Sequence, residues 1–327
     1  MNSLERVKAA IKMEKPDKIP VWNINADERE GDVLWYDLRV YEDETTGSGL
    51  FRGNRSEWGY LWQNLEDGTM GHPTHPVIAD AADIKKYRLP DLDLKKRFAG
   101  LKDFIAGSEG YYRLGMLVIN GFTTYTFLRG FEEAMIDIAT RDPDALALLA
   151  DIFAWERELM CACVDAGMNG FHIGDDWGTQ DSMIISPAMW NEIMAPLYAD
   201  IVDSAHARGA EIWFHSCGNF TQIIPAMHDI GVDLINIAQP NVVDIEAAGR
   251  ALRGKQCFLM PLSYQTTSIS GSGEEIIHEA KRMYELLGTE NGGFIGYVEE
   301  YGCMGMSGEN FEACKKAFRM LNATDCR

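Results

Sequence analysis

No apolar run in this 327-residue chain approaches the roughly 18 residues that a membrane-crossing helix needs. The opening Met1-Asn2-Ser3-Leu4-Glu5-Arg6-Val7 also lacks the apolar stretch of a signal peptide, so a soluble, cytoplasmic protein is expected. Positive charge is in deficit, with 30 Lys and Arg against 50 Asp and Glu and a formal net charge of −20. Nucleic acid and anionic membranes are polyanions that such a surface repels, so neither is expected as a partner. Cysteine is too sparse, at seven residues, for a disulfide framework in a chain this long. Cys161, Cys163, Cys257, Cys314 and Cys326 fall in strand-like, helix-like or terminal stretches and read as small apolar residues. Cys217 and Cys303 stand next to glycine in loop-like settings and are the exceptions.

What is present is an alternation of short apolar strands with amphipathic helices, the signature of parallel βα units. The strands read as Ile19–Trp22, Arg113–Ile119, Gly170–Ile173, Glu211–His215, Asp233–Ile237, Cys257–Pro261 and Gly293–Ile295. Helices are expected over Thr123–Thr140, Pro143–Ala166, Pro187–Arg208, Phe220–Ile230, Val243–Leu252, Glu274–Leu287 and Glu309–Leu321. Asp142-Pro143 and Ser186-Pro187 open two of them as cap and first-turn proline. Ser3 is expected to cap a first helix on which Leu4, Val7 and Ile11 share a face. Residues from about 27 to 91 are irregular, rich in Trp, Gly, Asp and His, and read as an excursion able to cover one mouth of a barrel. No linker-like composition divides the chain, so residues 1–327 are read as one α/β domain, a (β/α)8 TIM-like barrel.

Catalytic side chains of such barrels sit at the carboxyl ends of the strands and in the loops that follow. Four segments occupy that position: Gly174–Gln180, His215–Asn219, Gln239-Pro240-Asn241 and the glycine-rich stretch from Gly292 to Gly305. His215 and Cys217 end one strand two residues apart, so both point to the same side. Imidazole and thiolate in that relation can meet one ion, and Zn²⁺ accepts the mixture. The same pair also suits a hydrogen-bonded interior histidine beside a packed thiol. A metal would need a third ligand, from Cys303 or from the carboxylates Glu300 and Glu299. Three protein ligands leave the fourth position open, the catalytic arrangement. Asp175 and Asp176 are adjacent, so only one faces the barrel axis. That one is an acid/base group, a metal ligand or the acceptor for a substrate cation; the structural alternative is an Asp capping a loop or helix. Trp177 and Trp22, with Asn219 and Gln239, are candidates for lining the substrate or cofactor pocket. Trp58 and Trp62 suit a pocket or the core, and His72 and His75 a lid or the surface.

At these segments the sequence resembles the uroporphyrinogen decarboxylase superfamily along nearly its whole length. The resemblance is carried by Glu14-Lys15-Pro16-Asp17-Lys18-Ile19-Pro20, Gly174–Gln180 with Ile185-Ser186-Pro187, His215-Ser216-Cys217-Gly218-Asn219, Ile230-Gly231-Val232-Asp233 and Gly292-Gly293-Phe294-Ile295. It implies a (β/α)8 barrel of the uroporphyrinogen decarboxylase type. The decarboxylases carry an arginine-bearing segment after the first strand that holds the substrate carboxylates. Here that place reads Trp22-Asn23-Ile24-Asn25-Ala26-Asp27, without arginine. The likeness therefore points to the corrinoid-linked branch, which includes methylcobamide:coenzyme M methyltransferases and O-demethylase components. In that branch a His-x-Cys-Gly segment and a later cysteine hold zinc, which implies His215, Cys217 and either Cys303 or Glu300 as ligands. It further implies Asp175 or Asp176 in proton handling, a small thiol or methoxylated substrate, and a corrinoid (cobalamin) carried by a partner protein. A decarboxylase-like lyase using Asp175, Asp176 and His215 and a non-catalytic tetrapyrrole-binding protein are the competing readings, and homodimerisation is left open.

Overall fold

The computed structural model describes residues 1–24, 27–40, 55–63 and 71–322, apart from the side chain of Cys303. Eight parallel strands form a nearly closed barrel: β1 (Val21–Ile24), β2 (Val33–Asp37), β3 (Tyr112–Met116), β4 (Gly170–Gly174), β5 (Glu211–Ser216), β6 (Leu234–Ile237), β7 (Cys257–Pro261) and β8 (Phe294–Glu299). They are ordered β1-β8-β7-β6-β5-β4-β3-β2. No ladder joins β1 to β2, and Asp32 spans that seam. Its N–H donates to the Val21 carbonyl (2.7 Å) while its Oδ2 accepts from the Val21 N–H (2.9 Å). Its other oxygen accepts from Ser3 Oγ (2.8 Å) and Arg6 Nη1 (2.5 Å), tying the helix Ser3–Ile11 to the seam.

Period-two alternation separates two cores. Trp22, Ile24, Tyr112, Leu114, Met116, Trp213, Leu234, Leu259 and Ile295 fill the barrel, and Val7, Ala10 and Ile11 of the first helix pack into the same cluster. Phe171, Ile173, Ile212, Phe214, Ile235, Ile237, Phe258, Met260, Phe294 and Val298 face outward against the helices. Each large side chain so buried contributes about 1.5–3 kcal/mol.

Three local expectations change. β2 lies inside the stretch read as irregular, because the described residues between it and β1 hold only a 3-10 turn (Glu28–Glu30) where the βα rhythm demands a helix. Asn2, not Ser3, caps the first helix, in a reciprocal pair with Glu5; Ser3 is spent on Asp32. The helix expected over 123–140 is two, Gly121–Arg129 and Phe131–Thr140, broken at Gly130 with φ +83°. Of the excursion, Trp58 packs on Trp155 (4.9 Å between centroids) and Trp62 on Phe127 (5.7 Å), while His72 and His75 are exposed. Both tryptophans thus lie against helices beside the barrel. No helix among the described residues is long and apolar enough to cross a membrane.

Candidate metal centre

Strand parity continues past the last ladder residue of β4 and parts the two aspartates. Phe171 and Ile173 point outward, and Asp175 follows them; His172 points inward, and Asp176 follows it. Asp175 is fully buried beneath the helix Gly121–Arg129, whose cap residue Asn120 makes no capping bond. Asp175 accepts instead from the N–H of Phe122 (2.8 Å), the N–H of Thr123 (2.8 Å), Thr123 Oγ1 (2.6 Å) and the Tyr198 hydroxyl. Glu156 takes the Gly121 N–H (2.9 Å). Burial pushes Asp175 up to about 7 and Glu156 up to about 8, against the donors that hold them. Of the readings open for Asp175, the structure shows the helix cap: its oxygens are taken up by the start of that helix.

On the inner side, Asp176, His215 and Cys217 present donor atoms that all lie within 4.8 Å of one another. Asp176 Oδ1 accepts from the Cys217 N–H (2.7 Å) and stands 3.8 Å from His215 Nε2, which is 3.5 Å from Cys217 Sγ. Ligands bonded tetrahedrally at zinc-like lengths stand about 3.5 Å apart for N and S and about 3.3 Å for N and O, so the two spacings to His215 Nε2 come near those around one ion. The imidazole is oriented from behind. Asn236 Nδ2 donates to the Leu259 carbonyl (2.9 Å), which turns its Oδ1 toward His215 Nδ1 (2.6 Å). Nδ1 then carries the proton and Nε2 offers its lone pair to the cluster, the usual outer support of a metal-ligating histidine.

The His-x-Cys-Gly segment is held by backbone contact between the loops after β4 and β5. Gly178 N–H donates to the Cys217 carbonyl (3.1 Å) and Asn219 N–H to the Thr179 carbonyl (2.7 Å). A Cβ on Gly218, whose φ is +73°, would stand 2.0 Å from the Gly178 oxygen, so no other residue fits there. Gln239 Oε1 accepts from the Gly218 N–H (2.9 Å) and from Gln180 Nε2 (3.1 Å). Asn219 bonds Thr221 and so braces its own loop. Trp177 follows the outward parity, stacks on Phe122 (4.8 Å, 11°) and donates to Tyr198. It is fully buried in this packing. Trp22, 1% exposed, lies inside the barrel edge-on to Trp213, Tyr297 and His172.

Among the described residues, the group that stands with His215 and Cys217 is Asp176. Glu300 is exposed, curls over Gly302 and does not join the group. The Cys303 side chain lies outside the described residues, although its backbone forms a 3-10 turn with Gly302 and Met304. Glu299 has the inward parity, and its Oε2 accepts from the hydroxyls of Tyr297 (2.6 Å) and Tyr301 (2.9 Å). Burial raises its carboxyl, and the His215 imidazole opposes that rise. Sequence reasoning passed over His172, Asn236 and Tyr264. His172 is buried beside His215 (5.8 Å between rings), and burial with that neighbour holds it neutral, down at about 3. Asn236 had a signal, a lone amide among Leu234, Ile235 and Ile237. Tyr264 reaches Cys217 and Gln239 from the loop after β7.

Burial, then the Asp176 carboxylate, pushes the Cys217 thiol well above the ordinary thiol range, with the Tyr264 hydroxyl opposing. Among the described residues no Lys or Arg ion-pairs or hydrogen-bonds with Asp176, His215, Cys217 or Glu299. An activated free thiolate therefore has no support here, whereas a bound cation would supply it.

The family described as "Uroporphyrinogen decarboxylase (URO-D)" matches residues 64–321. Among solved structures, a methyltransferase from Methanosarcina mazei superposes with a TM-score of 0.70 at 16% identity, covering 99% of this chain and 100% of its own. That likeness shows the fold. An intracellular xylanase from Thermoanaerobacterium saccharolyticum (11% identity, 89% of this chain and 88% of its own, TM-score 0.37) is more distant. So is a xylanase from Paenibacillus barcinonensis (9% identity, 66% and 81%, TM-score 0.36), and neither bears on function. No curated protein matches the chain.

Proposed function

The chain belongs to the uroporphyrinogen decarboxylase family, and within it we propose a metal-dependent methyltransferase. It moves a methyl group between a small thiol or methoxylated substrate and a corrinoid held by a partner protein over the barrel mouth. The observation that carries this reading is the Asp176–His215–Cys217 group, whose donor spacing suits one ion with a coordination position to spare. Zinc is the metal the N/S/O donor set favours. A metal bound there supplies Lewis acidity, which lowers the pKa of a thiol or makes a methyl-ether oxygen a better leaving group.

The chain's own residues do the rest. Asn236 fixes the His215 tautomer, Asp176 and the Cys217 N–H lock the two loops together, and Trp22 with Trp213 closes the barrel beneath the site. A porphyrinogen bearing many carboxylates would meet Asp176 and Glu299 with no described Lys or Arg contact among these residues to receive it, which speaks against decarboxylation.

Elemental analysis of protein purified without chelators tests the reading. About one zinc per chain in the wild type, lost in His215→Ala and Cys217→Ala, is expected. Cys303→Ala should keep its metal, since Asp176 completes the set. Methyl transfer to or from cobalamin by fully metal-depleted protein would overturn the proposal.

A further inference from the structure

Glu299 stands at the inner carboxyl end of β8 with an oxygen to spare. Both tyrosine hydroxyls go to Oε2, and Oε1 takes no hydrogen bond among the described residues. Tyr297, which donates to it, stands edge-on to Trp22, and Trp22 meets His172 beside His215, so the carboxylate shares the inner mouth with the metal group without belonging to it. Aromatic rings surround it. Tyr264 and Tyr301 lie 4.8 Å apart at 31°, and Tyr297 stands edge-on to Trp22 at 5.3 Å. Described lysines and arginines make no contact with it.

Charge complementarity at the site favours a cation. A divalent ion bound by the Cys217 thiolate and the Asp176 carboxylate, with His215 neutral, sums to zero. Half-buried Glu299 then adds one negative charge beside tyrosine rings, with Oε1 open to a partner. A sulfonate or carboxylate on the substrate would add to that charge. An ammonium group would cancel it and would also lie against tyrosine faces, the surroundings in which quaternary ammonium ions are bound.

We propose that Glu299 Oε1, with the rings of Tyr264, Tyr297 and Tyr301, recognises a positively charged ammonium group on the small substrate, and so selects against anionic ones. This rests on the metal reading above, and it narrows the substrate to a cationic thiol or a methylated compound bearing an ammonium group.

The test uses the full-length protein loaded with Co²⁺ and reads the thiolate-to-cobalt charge-transfer band. Three thiols of similar size are titrated: 2-(trimethylammonio)ethanethiol, its neutral isostere 3,3-dimethylbutane-1-thiol, and 2-sulfanylethanesulfonate. None of them carries an amine that could chelate the metal. The cation is expected to bind about tenfold more tightly than the neutral thiol, with the anion weakest and the gap shrinking as salt is raised. Glu299→Gln should erase the gap between cation and neutral thiol, leaving the neutral thiol within about twofold. The wild-type ranking needs no variant to fold. Uptake of cobalt with equal binding of the three thiols, or with the anion tightest, overturns this inference alone. No uptake of cobalt or zinc overturns the metal reading and this inference with it.

Discussion

Asp175 and Asp176 are the same residue type, adjacent at the end of one strand, and the barrel wall gives them opposite work. On the outer side four donors surround Asp175, two of them backbone N–H groups of a helix start, and no solvent reaches it. On the inner side Asp176 shares one N–H with Cys217 and turns its oxygen toward an imidazole and a thiol. The outer carboxylate fixes the position of a helix and, through the Asp176 N–H bonded to Thr123 Oγ1 (3.1 Å), of its own neighbour. The inner one is left unsaturated, which is what a ligand must be. Titratable groups at a barrel mouth thus divide into scaffold and site by parity before chemistry is considered.

The sharpest way to break this comparison is to exchange the losses. Asp175→Ala orphans two backbone N–H groups, the Thr123 hydroxyl and the Tyr198 hydroxyl in a sealed space. It should cost about 3–5 kcal/mol in urea unfolding while folded molecules keep their metal stoichiometry. Asp176→Ala should do the reverse. Metal affinity falls at least about 100-fold by competition with a chelator, since a direct ligand outweighs an outer one. Stability of the metal-free protein changes by less than about 1 kcal/mol, because the residue is 39% exposed at its side chain. Equal metal loss from both variants would end the distinction. A smaller effect is expected from Asn236→Ala, which frees the His215 ring without touching a ligand: about 10- to 100-fold in metal affinity.

The same parity explains what could be read without coordinates. The motif His215-x-Cys217 was legible because two strand residues at i and i+2 share a side, and the structure brings them together. Carrying the alternation two residues further would have sorted the rest. Phe171 and Ile173 count outward to Asp175 and Trp177, and Ile295 and Tyr297 count inward to Glu299 and past Glu300. The β2 strand was hidden for a different reason. Val33–Asp37 follows β1 after eight residues whose described part holds a 3-10 turn and no α-helix, so the βα rhythm gives no cue, and Trp35 and Tyr36 blur its alternation by being half-buried. The Asp175 and Glu156 caps were beyond any local reading. They come 52 and 35 residues after the N–H groups they satisfy, and only the closed barrel brings them there.

Glu156 offers the finest cut between scaffold and site, because it is scaffold alone and its proton reports on it. Its Oε1 accepts from Gly121, its Oε2 has no partner among the described residues, and burial, with Asp175 adding to it, raises the carboxyl from 4.5 to about 8. An acid raised on folding holds a proton in the native state that the unfolded chain has shed. Its contribution to stability is full below about 4.5 and is lost as pH rises through about 8. Glu156→Gln keeps the acceptor for Gly121 and cannot ionise. Near pH 5 it should match the wild type to within about 1 kcal/mol in urea unfolding. Above pH 8 it should be the more stable of the two, with the difference growing steadily between those limits. Metal content should be unchanged throughout, since the residue acts on the helix start and touches none of the three ligands. A flat difference across that range would mean that the Glu156 proton is already gone at pH 5, and that the helix start is held by two charged carboxylates.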